Sequence, residues 1–308
     1  MRDYHVLSVP LTSFPPSSAK LDAVKTHGPV LTLADVPWAS KQLWAPDAAS
    51  KNGKYYLYFP ARDKEGLFRI GVAVSEKPEG PFVAEKEAIK GSFSIDPCVF
   101  VDDGVGYGNG EGKNEAYLLF GGLWGGEMQC YSRVSSFSST EEEQQQAKWI
   151  FDPSKLGPQE PSGPTTLAIH PKIAQLTPDM LSFTSPPRDL VILNSSGNPI
   201  MADDHEKRFF EASWLHKYNG KYYFSYSTGD THYIVYAVGE SPWGPFRYRG
   251  RILEPVSGWT THHSIVEVKG RWWIFYHDCE LSKGVDHLRS VRGREIGYDE
   301  KGDIYLVD

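Results

Sequence analysis

One phrase recurs along the chain: a turn pair followed by a run of aromatic and apolar residues. It reads Asn52-Gly53-Lys54-Tyr55-Tyr56-Leu57-Tyr58-Phe59 and returns as Asn219-Gly220-Lys221-Tyr222-Tyr223-Phe224-Ser225-Tyr226. A third copy is Lys269-Gly270-Arg271-Trp272-Trp273-Ile274-Phe275-Tyr276, and Asn114-Glu115-Ala116-Tyr117-Leu118-Leu119-Phe120 is a looser fourth. Asn-Gly supplies the positive φ angles of a tight type I′ turn, so each copy predicts a β-hairpin with a buried second strand. A second phrase follows at similar distance in two copies. Gly71-Val72-Ala73-Val74-Ser75 leads to Gly80-Pro81-Phe82, and Tyr236-Ala237-Val238-Gly239-Glu240 leads to Gly244-Pro245-Phe246. A hairpin, a third strand and an outer strand make about four strands in about 50 to 60 residues, the period of a propeller blade. Five such units would fill the 308 residues. The expected fold is an all-β, five-bladed β-propeller, one domain over residues 1–308.

Two stretches break the pattern and are expected to be surface insertions. One lies around 104–113, where glycines occur without the strand-turn-helix frame of a nucleotide loop. The other spans about 131–187 and holds a polar Ser/Thr/Glu/Gln run followed by a segment rich in Pro and Gly.

Composition narrows the partners. The chain has 9 Trp, 17 Tyr, 15 Phe, 29 Gly and 22 Pro, the usage of many short strands with frequent reversals. Its formal net charge is −7 and it lacks a long Lys/Arg stretch, which argues against nucleic-acid and anionic-membrane partners. No apolar run approaches the roughly 20 residues that cross a bilayer. Met1 to Val6 lacks the apolar core of a signal peptide, so the chain as written reads as cytoplasmic, or as secreted if its true beginning lies upstream. Asn194-Ser195-Ser196 is a glycosylation sequon that matters only on export. Cys98, Cys130 and Cys279 are too few for a disulfide framework and fit no zinc spacing; buried thiols are expected.

Two acids sit where strand-like sequence calls for apolar residues. Asp96 lies in Ser94-Ile95-Asp96-Pro97-Cys98-Val99-Phe100, and Glu211 in Phe209-Phe210-Glu211-Ala212-Ser213-Trp214. A carboxylate among such neighbours loses hydration, at a cost of several kcal/mol unless it is paired or hydrogen-bonded. A structural, hydrogen-bonded acid is the alternative for each separately. Two of them in one repeat fold favour chemistry, and paired carboxyls flanking a sugar linkage are the working parts of most glycoside hydrolases.

Leu43-Trp44-Ala45-Pro46-Asp47, Ser94-Ile95-Asp96-Pro97, Phe210-Glu211-Ala212 and Thr261-His262-His263-Ser264-Ile265-Val266-Glu267 occur in an order that resembles glycoside hydrolase family 43. The resemblance covers nearly the whole chain and implies a five-bladed propeller acting on xylan and arabinan ends or side chains. It implies removal of terminal β-1,4-xylosyl units with inversion, with α-L-arabinofuranosidase action as the alternative. By motif match, Glu211 is the general acid and Asp96 the third carboxylate that tunes its pKa, both expected side by side near the propeller axis on innermost strands of separate blades. The family's base, an Asp usually followed by Pro, has no counterpart before Trp44. The chain is expected to begin about one hairpin late, leaving the first blade incomplete, with Asp3 or Asp47 as substitute bases and a non-catalytic sugar-binding propeller as a second alternative.

The same resemblance implies an active-site role for His262, near the axis, touching water or a metal ion. It implies a sugar-pocket arginine in the last blade, read as Arg289 with Arg294 behind it. Trp44 is expected to stack on a sugar face, where core packing is the competing reading. Asp47 is expected to accept sugar hydroxyls, against a turn-stabilising Asp. Trp124, between glycine pairs, is expected to expose its indole as a pocket wall, and Phe209 or Phe210 to keep the acid dry. Asp203-Asp204-His205 reads as a solvated acidic loop or a cation site. No organic cofactor is expected; a calcium ion near the axis is, through His262 and water. The expected partner is a xylo- or arabino-oligosaccharide.

Overall fold

The computed structural model describes residues 1–15, 22–102, 114–134, 148–158, 160–259 and 262–307. Almost all its regular structure is strand. β1 (Asp3–Ser8) and β2 (Lys25–Thr32) form a two-stranded ribbon. The first large sheet holds β3 (Ala39–Lys41), β4 (Asp47–Lys51), β5 (Lys54–Asp63), β6 (Phe68–Ser75) and β7 (Val83–Ala84). The second begins with β8 (Cys98–Asp102) and β9 (Glu115–Phe120). A separate ribbon of β10 (Tyr131–Val134) and β11 (Lys148–Phe151) precedes its remaining strands, β12 (Lys172–Gln175) and β13 (Arg188–Asp189). The third sheet comprises β14 (Ile192–Leu193), β15 (Glu211–Tyr218), β16 (Lys221–Ser227), β17 (Ile234–Gly239) and β18 (Phe246–Leu253). The fourth comprises β19 (His263–Val268), β20 (Arg271–Asp278), β21 (Ser290–Tyr298) and β22 (Ile304–Leu306).

The large sheets are antiparallel, except that β14 adds parallel to β18 at the outside of the third, and β4, β8, β15 and β19 are their innermost strands. β4 touches β8, β8 touches β15, and β15 touches β19, so the sheets radiate from a shared centre in a propeller-like arrangement. The turns behave as the sequence demands. Asn52-Gly53, Asn219-Gly220 and Lys269-Gly270 all have positive φ at both central residues, between 47° and 76°. Behind them the aromatic runs pack between sheets; Tyr58, Phe59, Phe224 and Tyr226 are fully buried, each worth about 2–3 kcal/mol. The two Gly-Pro-Phe phrases also act alike. Phe82 N–H donates to Val30 O and Phe246 N–H donates to Val191 O, both 2.9 Å, so each outer Phe holds a flanking segment.

Three expectations need correction. Four sheets of blade size are present among the described residues, not five, with the β1–β2 ribbon beside them. That ribbon packs Tyr4, Val30 and Leu31 against Phe59 of the first sheet and Phe82 just ahead of β7. Its connection carries Phe14 onto Trp273 and Phe275 of the fourth, at centroid separations of 5.1 and 6.1 Å. The stretch 131–187 is also not wholly an insertion. β12 pairs with β9 as a third blade strand, and its Ile173 and Ala174 are buried, a short apolar run that the polar neighbours conceal. The expected insertion at 104–113 lies outside the described residues. Finally, Asp96 is not on an innermost strand; it stands two residues ahead of β8.

Candidate active site

Asp96 owes its position to a strained turn. Ser94 and Asp96 both take left-handed backbone, φ 64° and 56°, which non-glycine residues adopt at a cost of order 1 kcal/mol or more. The turn is clamped by the end of β9: Gly121 N–H donates to Ile95 O at 2.8 Å, and Gly122 N–H donates to Ser94 Oγ at 3.0 Å. Only glycine fits at 122 and 126, because a Cβ there would lie 2.7 and 2.5 Å from Ile95.

Glu211 opens β15 at a β-bulge, where the pairing with β16 slips between Glu211 and Trp214 and Ala212 has φ 60°. Bulges re-aim side chains. This one also turns Ala212 N–H onto Asp96 Oδ2, 3.1 Å away. The third member comes from the fourth sheet, just ahead of β19. His262 Nε2 lies 3.5 Å from Asp96 Oδ2 and 3.5 Å from Glu211 Oε1. One donor atom from each of the three residues falls within 4.8 Å of the others. The predicted meeting of Asp96 and Glu211 across 115 positions of chain therefore holds.

Electrostatics bind the trio together. Burial raises the Asp96 pKa; His262 and the Ala212 N–H work against that, and the Glu211 charge adds to it. Burial would lower His262, yet the two carboxylates outweigh it and keep the imidazole protonated at neutral pH. His263, one residue on, points away as strand alternation requires. Its Nε2 meets Ser225 Oγ at 2.6 Å, and burial pushes it down to about 3.

A cleft of about 300 Å³ opens beside the trio, lined by Pro46, Asp47, Asp96, Ser213, His262, Tyr276 and His277 among others. Asp47 accepts the Val99 N–H at 2.7 Å, and burial lifts its carboxyl to about 7. It is both cleft wall and anchor of β8. Asp3 is exposed on β1 and borders a different hollow, with Met1, Thr32 and Gln42.

The remaining expected residues divide. Phe210 is buried against the acid and meets Trp124 edge to face at 5.1 Å. Trp124 is half-buried rather than exposed, a correction whose cause is this packing together with a stacked Trp259 at 5.9 Å. Trp44 packs on Phe68 at 4.8 Å and under Gly125, beside the cleft rather than in it. Arg289 is exposed at the rim; its Nη1 donates to His277 Nε2 at 3.0 Å and its Nε to Asp286 O. The acidic loop is engaged internally. Asp204 pairs with Lys207, His205 with Asp230, and Asp203 accepts Gly163 N–H, and among the described residues they are not part of a metal-type cluster.

Sequence reasoning missed His277. It accepts from both Arg289 and the His262 N–H, and burial and the nearby guanidinium lower it to about 4, so a neutral ring with the proton on Nδ1 faces the cleft. The available signal was a polar residue closing the third aromatic run. The Arg62–Glu127 ion pair was missed too; it ties the first sheet to the Trp124 loop at 2.8 Å and has no local sequence signature.

A propeller-like ring with a buried acid pair and an imidazole at its centre defines the class of protein. The profile of glycosyl hydrolases family 43 matches residues 16–149 and 156–304, and the chain belongs to that family. It is 62% identical over 305 residues to xylosidase/arabinosidase 43A of Humicola insolens, covering 99% of this chain and 85% of that protein. It is 47% identical to a β-xylosidase of Xylanibacter ruminicola, over all of this chain and 85% of that one. Among solved structures, a β-xylosidase/α-arabinofuranosidase from a compost microbial metagenome superposes with a TM-score of 0.83 at 50% identity. It was solved with xylotriose in a calcium-free form, and the match covers 100% of this chain and 83% of that one.

Proposed function

We propose that the protein hydrolyses terminal β-1,4-xylosyl units from xylooligosaccharides or xylan with inversion. The observation that carries this is the contact of Asp96, Glu211 and His262 beside the cleft. Glu211 gives its proton to the glycosidic oxygen as the C–O bond breaks, while water bonds to the anomeric carbon from the opposite face and loses a proton to a base. Asp96 orients the acid, and each carboxylate disfavours charge on the other. Asp47 is the further carboxylate lining the cleft, and it receives sugar hydroxyls. A base roughly 6.5–9.5 Å from Glu211 is what inversion requires. Release of α-L-arabinofuranosyl units is the second reading, favoured by relatives and a structural neighbour named for both activities.

We further propose five blades, the β1–β2 ribbon belonging to the fifth; its packing on the first sheet and, through Phe14, on the fourth supports this. A calcium ion takes six to eight oxygens. Asp96, Glu211 and His262 lie close enough together to hold one, with water completing its shell, and the steps above use none.

The test is turnover of aryl β-xyloside and aryl α-L-arabinofuranoside, with NMR of the first sugar released. Expected are hydrolysis of the xyloside, α-xylose as first product, and loss of about a thousandfold in Glu211→Gln. Saturable xylooligosaccharide binding without turnover would sink the hydrolytic reading and leave a binding protein.

A further inference from the structure

We propose that Trp259, flanked by His232, is the platform for the sugar on the leaving-group side of the scissile bond. This rests on the hydrolytic reading above and names the subsite that reading needs.

Trp259 is 42% exposed, a large apolar area for a side chain that most often hides. Its place is fixed from two directions. Along the chain it stands three residues before His262, which touches both carboxylates. Through space it stacks on Trp124 at 5.9 Å with an interplanar angle of 23°, and Trp124 meets Phe210 at 5.1 Å, next to Glu211. The Trp124 loop itself runs along the acid: Leu123 N–H donates to Phe210 O at 3.0 Å, and a Cβ on Gly122 would lie 3.4 Å from Glu211 Cβ. Aromatic exposure thus increases stepwise away from the proton donor, from Phe210 at 2% to Trp259 at 42%.

His232 holds the indole edge-on at 5.2 Å and 87°, from a left-handed backbone at φ 59°. Gly229 begins that turn with no room for a side chain, since a Cβ would fall 2.3 Å from Phe210. The loop carrying His232 is therefore locked to the same Phe that flanks the acid. An indole 42% exposed, stacked by Trp124 and met at right angles by His232, suits the apolar C–H face of a pyranose. The cleft that takes the terminal sugar is lined by Asp47, Asp96 and His262 and does not include Trp259, so the ring on this platform is the one that departs.

The experiment measures binding of xylose and xylotriose to Glu211→Gln protein, with and without Trp259→Ala, by calorimetry. Trp259→Ala is expected to weaken xylotriose about tenfold and to leave xylose within twofold, with Trp259→Phe restoring most of the loss. In otherwise wild-type protein, KM for xylobiose should rise more than KM for an aryl xyloside. Equal weakening of xylose and xylotriose, or no change in either, overturns the platform. If the Glu211→Gln parent binds no saccharide and the wild-type protein hydrolyses none, the hydrolytic reading falls and the platform with it. Retained xylose binding certifies that the Trp259→Ala protein is folded.

Discussion

β16 and β20 carry nearly the same aromatic phrase and meet different fates. In β16 every residue after Lys221 is buried. In β20 Trp273 and Ile274 are buried, but Phe275, Tyr276 and His277 are only half covered and face the cleft. A central strand spends its aromatics on neighbouring sheets, whereas a strand beside the cleft leaves its last turn of aromatics for solvent or sugar. The repeat therefore specifies a strand, and the neighbours decide whether its rings are core or binding surface.

The sharpest way to break this comparison is truncation on both strands. Phe224→Ala in β16 should cost about 4 kcal/mol, the loss of a fully buried ring, whereas Phe275→Ala in β20 should cost about 1 kcal/mol. Equal costs in chemical denaturation would mean the two strands are packed alike. Next in size, Asp47→Asn keeps an oxygen for the Val99 N–H and removes the charge from the cleft. An increase of about tenfold in KM with kcat nearly unchanged is expected of a group that binds hydroxyls. A loss in kcat of a hundredfold or more would make Asp47 the base.

The smallest effect is a pH slope. His216 on β15 is held down to about 3 by burial, well below its unfolded value near 6.5. Its folded pKa is depressed, so the unfolded chain binds the extra proton and stability declines as pH drops from about 6.5 toward 3. Asp47 and Asp96 are raised and act with the opposite sign, favouring the folded state below about 4 and losing that advantage as pH rises toward 7. The wild-type curve mixes both, so the difference between it and His216→Phe carries the test. Lowering the pH from 6.5 to 4 should shift the variant's melting temperature about 2–4 °C upward relative to the wild type's own shift. An unchanged slope would mean His216 is protonated inside the fold.

Much of this was legible because the signals are local. The three turn pairs with positive φ, the Gly-Pro-Phe phrases and the two acids in apolar runs each declare themselves within a few residues. What escaped depends on partners distant in the chain. His277 becomes part of the site only through Arg289 and the His262 backbone, and Glu127 only through Arg62, 65 positions away. Trp124 looked exposed between its glycines because Trp259 and Phe210, which cover it, lie far along the sequence. β12 was hidden for a different reason: four residues are too few for periodicity to emerge from polar surroundings.

Phe14 gives the ring an uneven seam. Elsewhere adjoining sheets meet strand against strand at the centre, while the ribbon reaches the fourth sheet through an aromatic ring set on Trp273 and Phe275. Local opening concentrates where least apolar surface is shared. Breathing should therefore loosen the wall near Phe275 and Tyr276 before it disturbs the strained turn at Asp96 or the bulge at Glu211. Such loosening would leave Asp96 and Glu211 registered to each other through the Ala212 N–H.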